Sequence, residues 1–388
     1  MNQRYYSLDV FRGATVCLMI LVNNPGTWAH IYGPLKHAPW HGCTPTDLVF
    51  PFFLFAVGNA LAFVMPRLEG ISKQQAAGKI VKRGTLIFLI GLLLNWFPFV
   101  KWEDDSLIMK SFSNLRILGV LQRIGIAYLF AALSVYFLKG RKAFYLATLL
   151  LLGYWVITAF CGVPDATGFI DPYSLEGFWG THLDRALLGS DHLYKGEGVP
   201  FDPEGLASTI PAIAQVIFGY MVGSYIQQKG KSDAMVANLF VAGMIMLLAG
   251  MAWGLEFPIN KKIWTSSYVL YTTGLATLIL ATMIQLIEFR GLKGPLTRFF
   301  DVFGKNPLFI FVMSALIPKS LALIRIPHGL NEQGKMTYTS PLGWFYETVC
   351  APVSAKPENG SLLYALIFIG FMWSLAWYMD HRKWYVKV

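Results

Sequence analysis

The chain has 388 residues, of which 55% are hydrophobic, 15% aromatic and only 14% charged, with a formal net charge of +10 and a mean hydropathy of +0.49. A soluble domain carries about a quarter charged residues, so this composition excludes disorder, a coiled coil, a disulfide-stapled miniature domain and a nucleic-acid binder, and it indicates a polytopic membrane protein. The surplus of positive charge must therefore be read by its position relative to a bilayer.

A helix crossing about 30 Å of hydrocarbon needs roughly 20 mostly apolar residues. Ten stretches meet that requirement: 8–24, 45–65, 81–98, 116–138, 143–162, 209–227, 234–254, 266–287, 302–323 and 361–380. An eleventh, 341–353, is short and holds Pro341, Glu347 and Pro352, which marks it as a re-entrant or surface segment. Cytoplasmic loops retain Lys and Arg. With the N-terminus inside, the inner side holds nineteen bases against six acids and the outer side twelve bases against sixteen acids. Both chain ends are thus expected to be cytoplasmic, which an even number of spans satisfies. The expected fold is all-α: a polytopic bundle of about ten transmembrane helices, forming one domain over 1–388 with large outer loops at 25–44, 163–208 and 324–360. The first apolar run opens with Asp9 and Arg12 and has no small-residue cleavage site after it, so it is expected to be a retained span. No internal repeat of the kind that marks many secondary transporters is visible.

Candidate chemistry follows in chain order. Asp9 and Arg12 lie three residues apart, on one helical face, as a local ion pair or as part of a basic inner mouth. Arg12, with Lys82 and Arg83 at the inner start of the third span, could hold phosphates through charge-assisted bonds, and Lys305-Asn306 adds to that mouth if the helix ends converge. Asn23 and Asn24 end the first span before Pro25-Gly26 breaks the helix. His30, His37 and His41 follow in one outer loop, where imidazoles can build a general base or merely anchor the interface. No metal is expected, because Pro39 separates His37 from His41 and no carboxylate or cysteine completes a ligand set. Asp47, three residues after Thr44, suits a helix first turn or orients a histidine.

Arg123 falls inside a span, where an unpaired guanidinium costs at least a few kcal/mol. It must face the bundle interior or a watery cavity, beside Gln122. The outer loop 181–208 offers Asp184, Arg185, His192, Asp202 and Glu204, the hydrogen-bonding groups that a sugar-binding surface needs and that a solvated loop also carries. Lys261, Lys262, Trp264 and Thr265 open the eighth span on the outer side, as interface anchors or substrate contacts. The four cysteines show neither a CxxC pair nor metal spacing, and Cys43, Cys161 and Cys350 lie near the outer face, where pairing is open to them.

Seven strings then occur in order: SLDVFRG (7–13), MILVNN (19–24), KHAPWHG followed by TDLVFPFFLFAVG (36–58), LRILGVLQRIGIAY (115–128), FDPEGLASTIPAI (201–213), NKKIWTSSYVL (260–270) and GKNPLFIF (304–311). Together they resemble the heparan-alpha-glucosaminide N-acetyltransferase family in its bacterial, short form, from about residue 4 to 380. The family's lysosomal members carry an additional luminal N-terminal domain and first span that this chain is expected to lack. The resemblance implies transfer of acetyl from cytosolic acetyl-CoA, as co-substrate, to the amine of a terminal glucosamine across the membrane, with a bacterial inner membrane as the location. It puts the active-site histidine on His37 and the active-site asparagine on Asn23, with Asn24 as the alternative.

With Asp47, these two form the expected catalytic set. Arg12, Lys82, Arg83, Arg123 and Asn306 are the expected acetyl-CoA residues, and Asp184, His192, Asp202, Glu204, Lys262 and Trp264 the expected substrate residues. Expected partners are a small amino sugar or oligosaccharide and the lipid bilayer, with a homodimer as a further candidate and no nucleic acid. A direct ternary complex and an acetyl-histidine intermediate both remain open, as do two other functions: a membrane O-acyltransferase of envelope sugars and an amino-sugar transporter gated by the histidine loop.

Overall fold

Helices begin where short polar side chains meet apolar runs. The hydroxyls of Ser72 and Ser232 accept N–H bonds from Gln75 and Met235 at 3.3 and 3.2 Å, starting α3 (Lys73–Trp96) and α8 (Asp233–Trp253). A 3₁₀ turn over Pro45–Leu48, with proline at its first position, leads into α2 (Val49–Glu69). The computed structural model describes residues 5–386; Arg4 and Lys387, counted among the inner bases, lie outside them. The other long helices are α1 (Tyr6–Asn23), α4 (Val120–Leu138), α5 (Gly140–Phe160), α7 (Leu206–Lys229), α9 (Ser266–Ile284) and α13 (Pro357–His381). Shorter ones are α6 (Trp179–Leu188), α10 (Pro295–Lys305), α11 (Pro307–Leu321) and α12 (Pro341–Phe345).

The protein is a multi-pass helical membrane protein. Among the described residues eight helices are long and apolar enough to span a bilayer, and nine passes result if α10 and α11 count as one. The expected single span at 302–323 is instead this pair, bent by 82°. The cause is local: Pro307 has no N–H to continue the helix, and Asn306 leaves helical geometry at φ −130°. The remaining expected span is α3, about 36 Å long by its 24 residues, whose first half carries Lys73, Lys79, Lys82 and Arg83 and so departs from an apolar composition.

Packing sorts the helices into a core and a lipid-facing rim. Buried apolar side chains of α1, α2, α4, α7 and α9 form the core. On α5 and α8 Leu149, Leu152, Val156, Val241, Ile245 and Leu248 are exposed, the apolar belt a bilayer would cover. Helix α10 crosses α1 with backbones in contact: a Cβ on Gly13 would lie 1.7 Å from the Phe300 carbonyl oxygen, and one on Gly304 would lie 2.1 Å from that of Asp9. Only glycine permits this crossing.

The all-α expectation holds apart from two hairpins at the end of the bundle that the base distribution expects outside, β1 (Val100–Glu103) with β2 (Ser106–Met109) and β3 (Ile326–Leu330) with β4 (Met336–Thr339). The segment 341–353 is a short irregular helical stretch: α12, a π turn over Tyr346–Cys350 and a 3₁₀ turn over Ala351–Val353. All four cysteines are free thiols. Over the outer ends of α5 and α7, an aromatic layer of Tyr154, Phe178, Phe201 and Phe257 holds the long outer loop down. That layer positions the site.

Candidate active site

The end of α1, the loop before α2, the segment before α4, the loop before α7 and the turn before α9 converge on one outer cavity of about 270 Å³. Asn23, His37, Asp47, Arg116, Tyr194, Glu197, Glu204, Lys261 and Lys262 line it. His37 Nδ1 lies 2.7 Å from Asp47 Oδ1. Asp47 is 1% exposed, and its Oδ2 accepts the N–H groups of Ala38 and Thr44, each at 3.0 Å, and the Thr44 hydroxyl at 3.0 Å. A carboxylate so fixed accepts a hydrogen bond from Nδ1–H and, in the tautomer this selects, leaves Nε2 as the ring's acceptor. Asn23 is exposed at the last turn of α1 and lines the same cavity. Asn24 instead bonds the Ile20 carbonyl of its own helix at 3.0 Å.

Cations balance the acids around this dyad. Arg116 grips Asp202 with two bonds, at 2.9 and 2.7 Å, and reaches Glu204 at 2.5 Å. Burial raises the Glu204 carboxyl, but Arg116, Arg123 and Lys261 together hold it below its ordinary range. Lys262 donates to Glu197 at 2.5 Å and to the Pro39 carbonyl at 2.8 Å. Lys261 lies over the His37 ring, 3.2 Å from Nδ1 and 3.3 Å from Nε2, and 3.9 Å from Asp47 Oδ1. The turn that presents both lysines is closed by the Asn260 side-chain oxygen, which accepts the N–H groups of Lys262 and Ile263.

Other expected substrate residues stand behind the wall. Asp202 is 2% exposed and belongs to Arg116. His192 donates Nδ1 to the Leu115 carbonyl at 2.7 Å, bracing the segment that carries Arg116. Asp184 accepts the Leu206 N–H at 2.9 Å at the start of α7. Trp264 is fully buried, packed edge-on against Phe50 and Tyr268, with the Arg123 guanidinium 4.9 Å from its ring. Of the other histidines, His30 is exposed, and His41 faces Asn260 at 3.4 Å with its pKa drawn down by burial against the pull of Asp171. Among the described residues no three His, Cys, Asp or Glu side chains are grouped to hold a metal ion.

The expected acetyl-CoA residues do not share one place. Arg12 lines an inner cavity of about 400 Å³ between α1 and α2, with Asp9, Asn59 and Arg67. It donates to the Gly304 carbonyl and to Asp9, both at 2.7 Å. Lys82 and Arg83 do not line this cavity: Lys82 is exposed on α3 and Arg83 lies over the Tyr128 ring at 4.9 Å. Asn306 is buried, and both ends of its amide are used by the Trp384 carbonyl and the Val386 N–H. Arg123 sits in the first turn of α4, at the opposite, outer end, bonded to Ser208 and Gly205.

Sequence reading missed Arg116 and Glu197 at the outer site and Asn59 and Arg67 at the inner one, and it named Lys261 only as an interface anchor or substrate contact. One signal was available: Lys261-Lys262 is a doubled base on the side where bases are depleted.

Comparison with known proteins gives a family. Residues 4–257 match the family described as heparan-alpha-glucosaminide N-acetyltransferase, catalytic. The chain is similar to the heparan-alpha-glucosaminide N-acetyltransferase of Homo sapiens, 29% identical over 358 residues covering 80% of this chain and 52% of that protein. It is equally similar to the Mus musculus protein of that name, 29% identical over 357 residues covering 80% and 53%. The chain thus spans about half the length of the curated relatives it matches.

Proposed function

We propose, from the premise that this chain belongs to the heparan-alpha-glucosaminide N-acetyltransferase catalytic family, that it moves acetyl from acetyl-CoA on the inner side of a bacterial inner membrane to the amine of glucosamine, or of a glucosamine-ended saccharide, on the outer side. The observation that carries this reading is the meeting of Asn23 with the His37–Asp47 pair in one outer cavity.

The chemistry follows from those three side chains. An amine attacking a thioester must lose a proton, and His37 Nε2 is a base placed to take it. Asp47 steadies the imidazolium that results, since its carboxylate already holds Nδ1 at 2.7 Å. Negative charge collects on the carbonyl oxygen in the tetrahedral state, where an amide donor such as Asn23 stabilises it. The cavity is slightly below the roughly 300 Å³ at which drug-sized pockets begin, a size for the terminal unit of an acceptor, with Glu197, Glu204, Arg116 and Lys262 as hydroxyl and ammonium partners.

Acetyl-CoA fits the inner cavity in chemical type. Arg12 and Arg67 offer charge to phosphates, and the Asn59 side-chain oxygen is buried there without a hydrogen-bond partner among the described residues. From Arg12 to Asn23 along α1 is roughly 17 Å. The seam between is filled by Val16, Met19, Ile20, Phe50 and Phe53, so these side chains must part for a thioester to reach His37.

The test is purified protein given labelled acetyl-CoA and glucosamine. N-acetylglucosamine as product supports the reading. Acetyl on a sugar oxygen would replace it with an O-acyltransferase, and no transfer together with amino-sugar uptake into vesicles would replace it with a transporter.

A further inference from the structure

We propose that Lys261 is itself an acetyl acceptor: a resident amine, held against the catalytic imidazole, that the enzyme modifies when no sugar occupies the outer cavity. The proposal rests on the acetyl-transfer reading above. Its geometric basis is that Lys261 Nζ stands 3.3 Å from His37 Nε2, within reach for the proton exchange required of any acceptor amine at this base. The same nitrogen lines the cavity that contains Asn23, so a carbonyl arriving for a sugar also arrives for the lysine.

The two neighbouring lysines differ in availability. Lys262 Nζ is tied to Glu197 at 2.5 Å and to the Pro39 carbonyl at 2.8 Å, contacts that engage its N–H donors and fix it in place. Among the described residues Lys261 has only the 3.9 Å approach to Asp47 as an ion pair, and its side chain is 18% exposed. Burial draws its pKa below the ordinary lysine value, against the opposing pull of Asp47 and Glu204, which enlarges the neutral, nucleophilic fraction near pH 7.

The reaction balances without any further reactant. Neutral Nζ attacks the thioester carbonyl, the N–C bond forms and the C–S bond breaks. The proton lost from nitrogen passes through His37 Nε2 to the leaving thiolate, giving Nε-acetyl-Lys261 and free CoA thiol. The product is an amide, so it does not hand its acetyl on to a sugar as a thioester or an acetyl-imidazole would. It converts the cation above the His37–Asp47 pair into a neutral, larger group inside the cavity.

The experiment uses the full chain in detergent with carbon-labelled acetyl-CoA, with and without glucosamine, followed by peptide mapping, while sugar acetylation is measured in parallel. The expected result is hydroxylamine-stable label on Lys261, at least tenfold above Lys262 and above lysines outside the cavity, suppressed by glucosamine and reduced at least tenfold in His37→Ala. Protein that acetylates glucosamine yet leaves Lys261 unmodified overturns the proposal and leaves the function standing. Equal label on Lys261, Lys262 and other lysines, unchanged in His37→Ala, overturns it as well, because that is uncatalysed chemistry. Absence of both sugar and lysine acetylation removes the function and this inference together. The wild-type map decides the matter without relying on a Lys261 variant that folds.

Discussion

His37 and Asp47 are joined at 2.7 Å between Nδ1 and Oδ1, and the carboxylate is pinned from its other side by the backbone of Ala38 and Thr44. The pair is therefore oriented before any substrate arrives. His37→Ala is expected to lower kcat by about a hundredfold or more, the scale of a lost general base, with folding and acetyl-CoA binding nearly intact because the side chain is 43% exposed. His30→Ala and His41→Ala should each cost far less, since neither lines the cavity. Turnover at saturating substrate is the measurement, and similar values for all three would remove imidazole catalysis.

The inner end makes a sharper prediction than charge clustering alone. Arg12 lines the cavity between α1 and α2, whereas Lys82 is exposed on α3 and does not line it. Arg12→Gln should raise KM for acetyl-CoA several-fold and leave that for the sugar, and Lys82→Gln should change neither. Calorimetric titration with acetyl-CoA distinguishes them. Equal losses in both variants would put the phosphates at α3 instead.

How much of this was legible beforehand depended on the range of the interaction. The apolar runs predicted the long helices because each span satisfies its own backbone, and the bend at Asn306-Pro307 escaped because hydropathy ignores a missing N–H. The His37–Asp47 pair was within reach because only ten residues and a helix start separate the two. Arg116 was not, since its partners Asp202 and Glu204 lie 86 and 88 residues away, and nothing local marks a base as half of a distant bidentate pair. The surroundings of Asn306 were hidden for the same reason: its amide, between α10 and α11, bonds the Trp384 carbonyl and the Val386 N–H, far along the chain.

Arg116 carries a structural prediction of its own. Replacing it with Ala leaves Asp202 and Glu204 buried without their partner, a change that costs about 3–5 kcal/mol for a fully buried pair and less here because the Arg116 side chain is 28% exposed. A clear fall in Tm together with a raised KM for the sugar is expected. Arg116→Lys should rescue only part, because an ammonium cannot make the two-pronged contact. Full rescue by lysine would show that charge alone matters.

Sidedness can be checked independently of catalysis. Cysteine-labelling reporters at 70 and 140 should read cytoplasmic and those at 105 and 180 periplasmic, following the distribution of bases. A periplasmic signal at 70 or 140 would invert the proposed acetyl-CoA side.

Asp184 ties stability to pH. It is 2% exposed, and burial, assisted by the charge of Asp202, pushes its carboxyl up to about 7 despite the Leu206 N–H it accepts and the nearby Arg123. Unfolded, the group titrates near pH 4, so between about 4 and 7 the folded chain binds the extra proton. The sign follows: stability falls as pH rises through that window, by up to roughly 1.4 kcal/mol per unit, and levels off above 7. Asp184→Asn keeps an oxygen for the Leu206 N–H and fits the tight approach of Gly205, where an added Cβ would stand 2.1 Å from Asp184 Oδ2, but it cannot ionise. Melting temperatures of the two proteins at pH 5 and 7.5 isolate the effect, because the carboxylates that do not couple to Asp184 titrate alike in both. The wild type should lose more stability between those values than the variant does. Parallel pH profiles would mean that Asp184 is ionised in the folded protein and that Arg123 outweighs its burial.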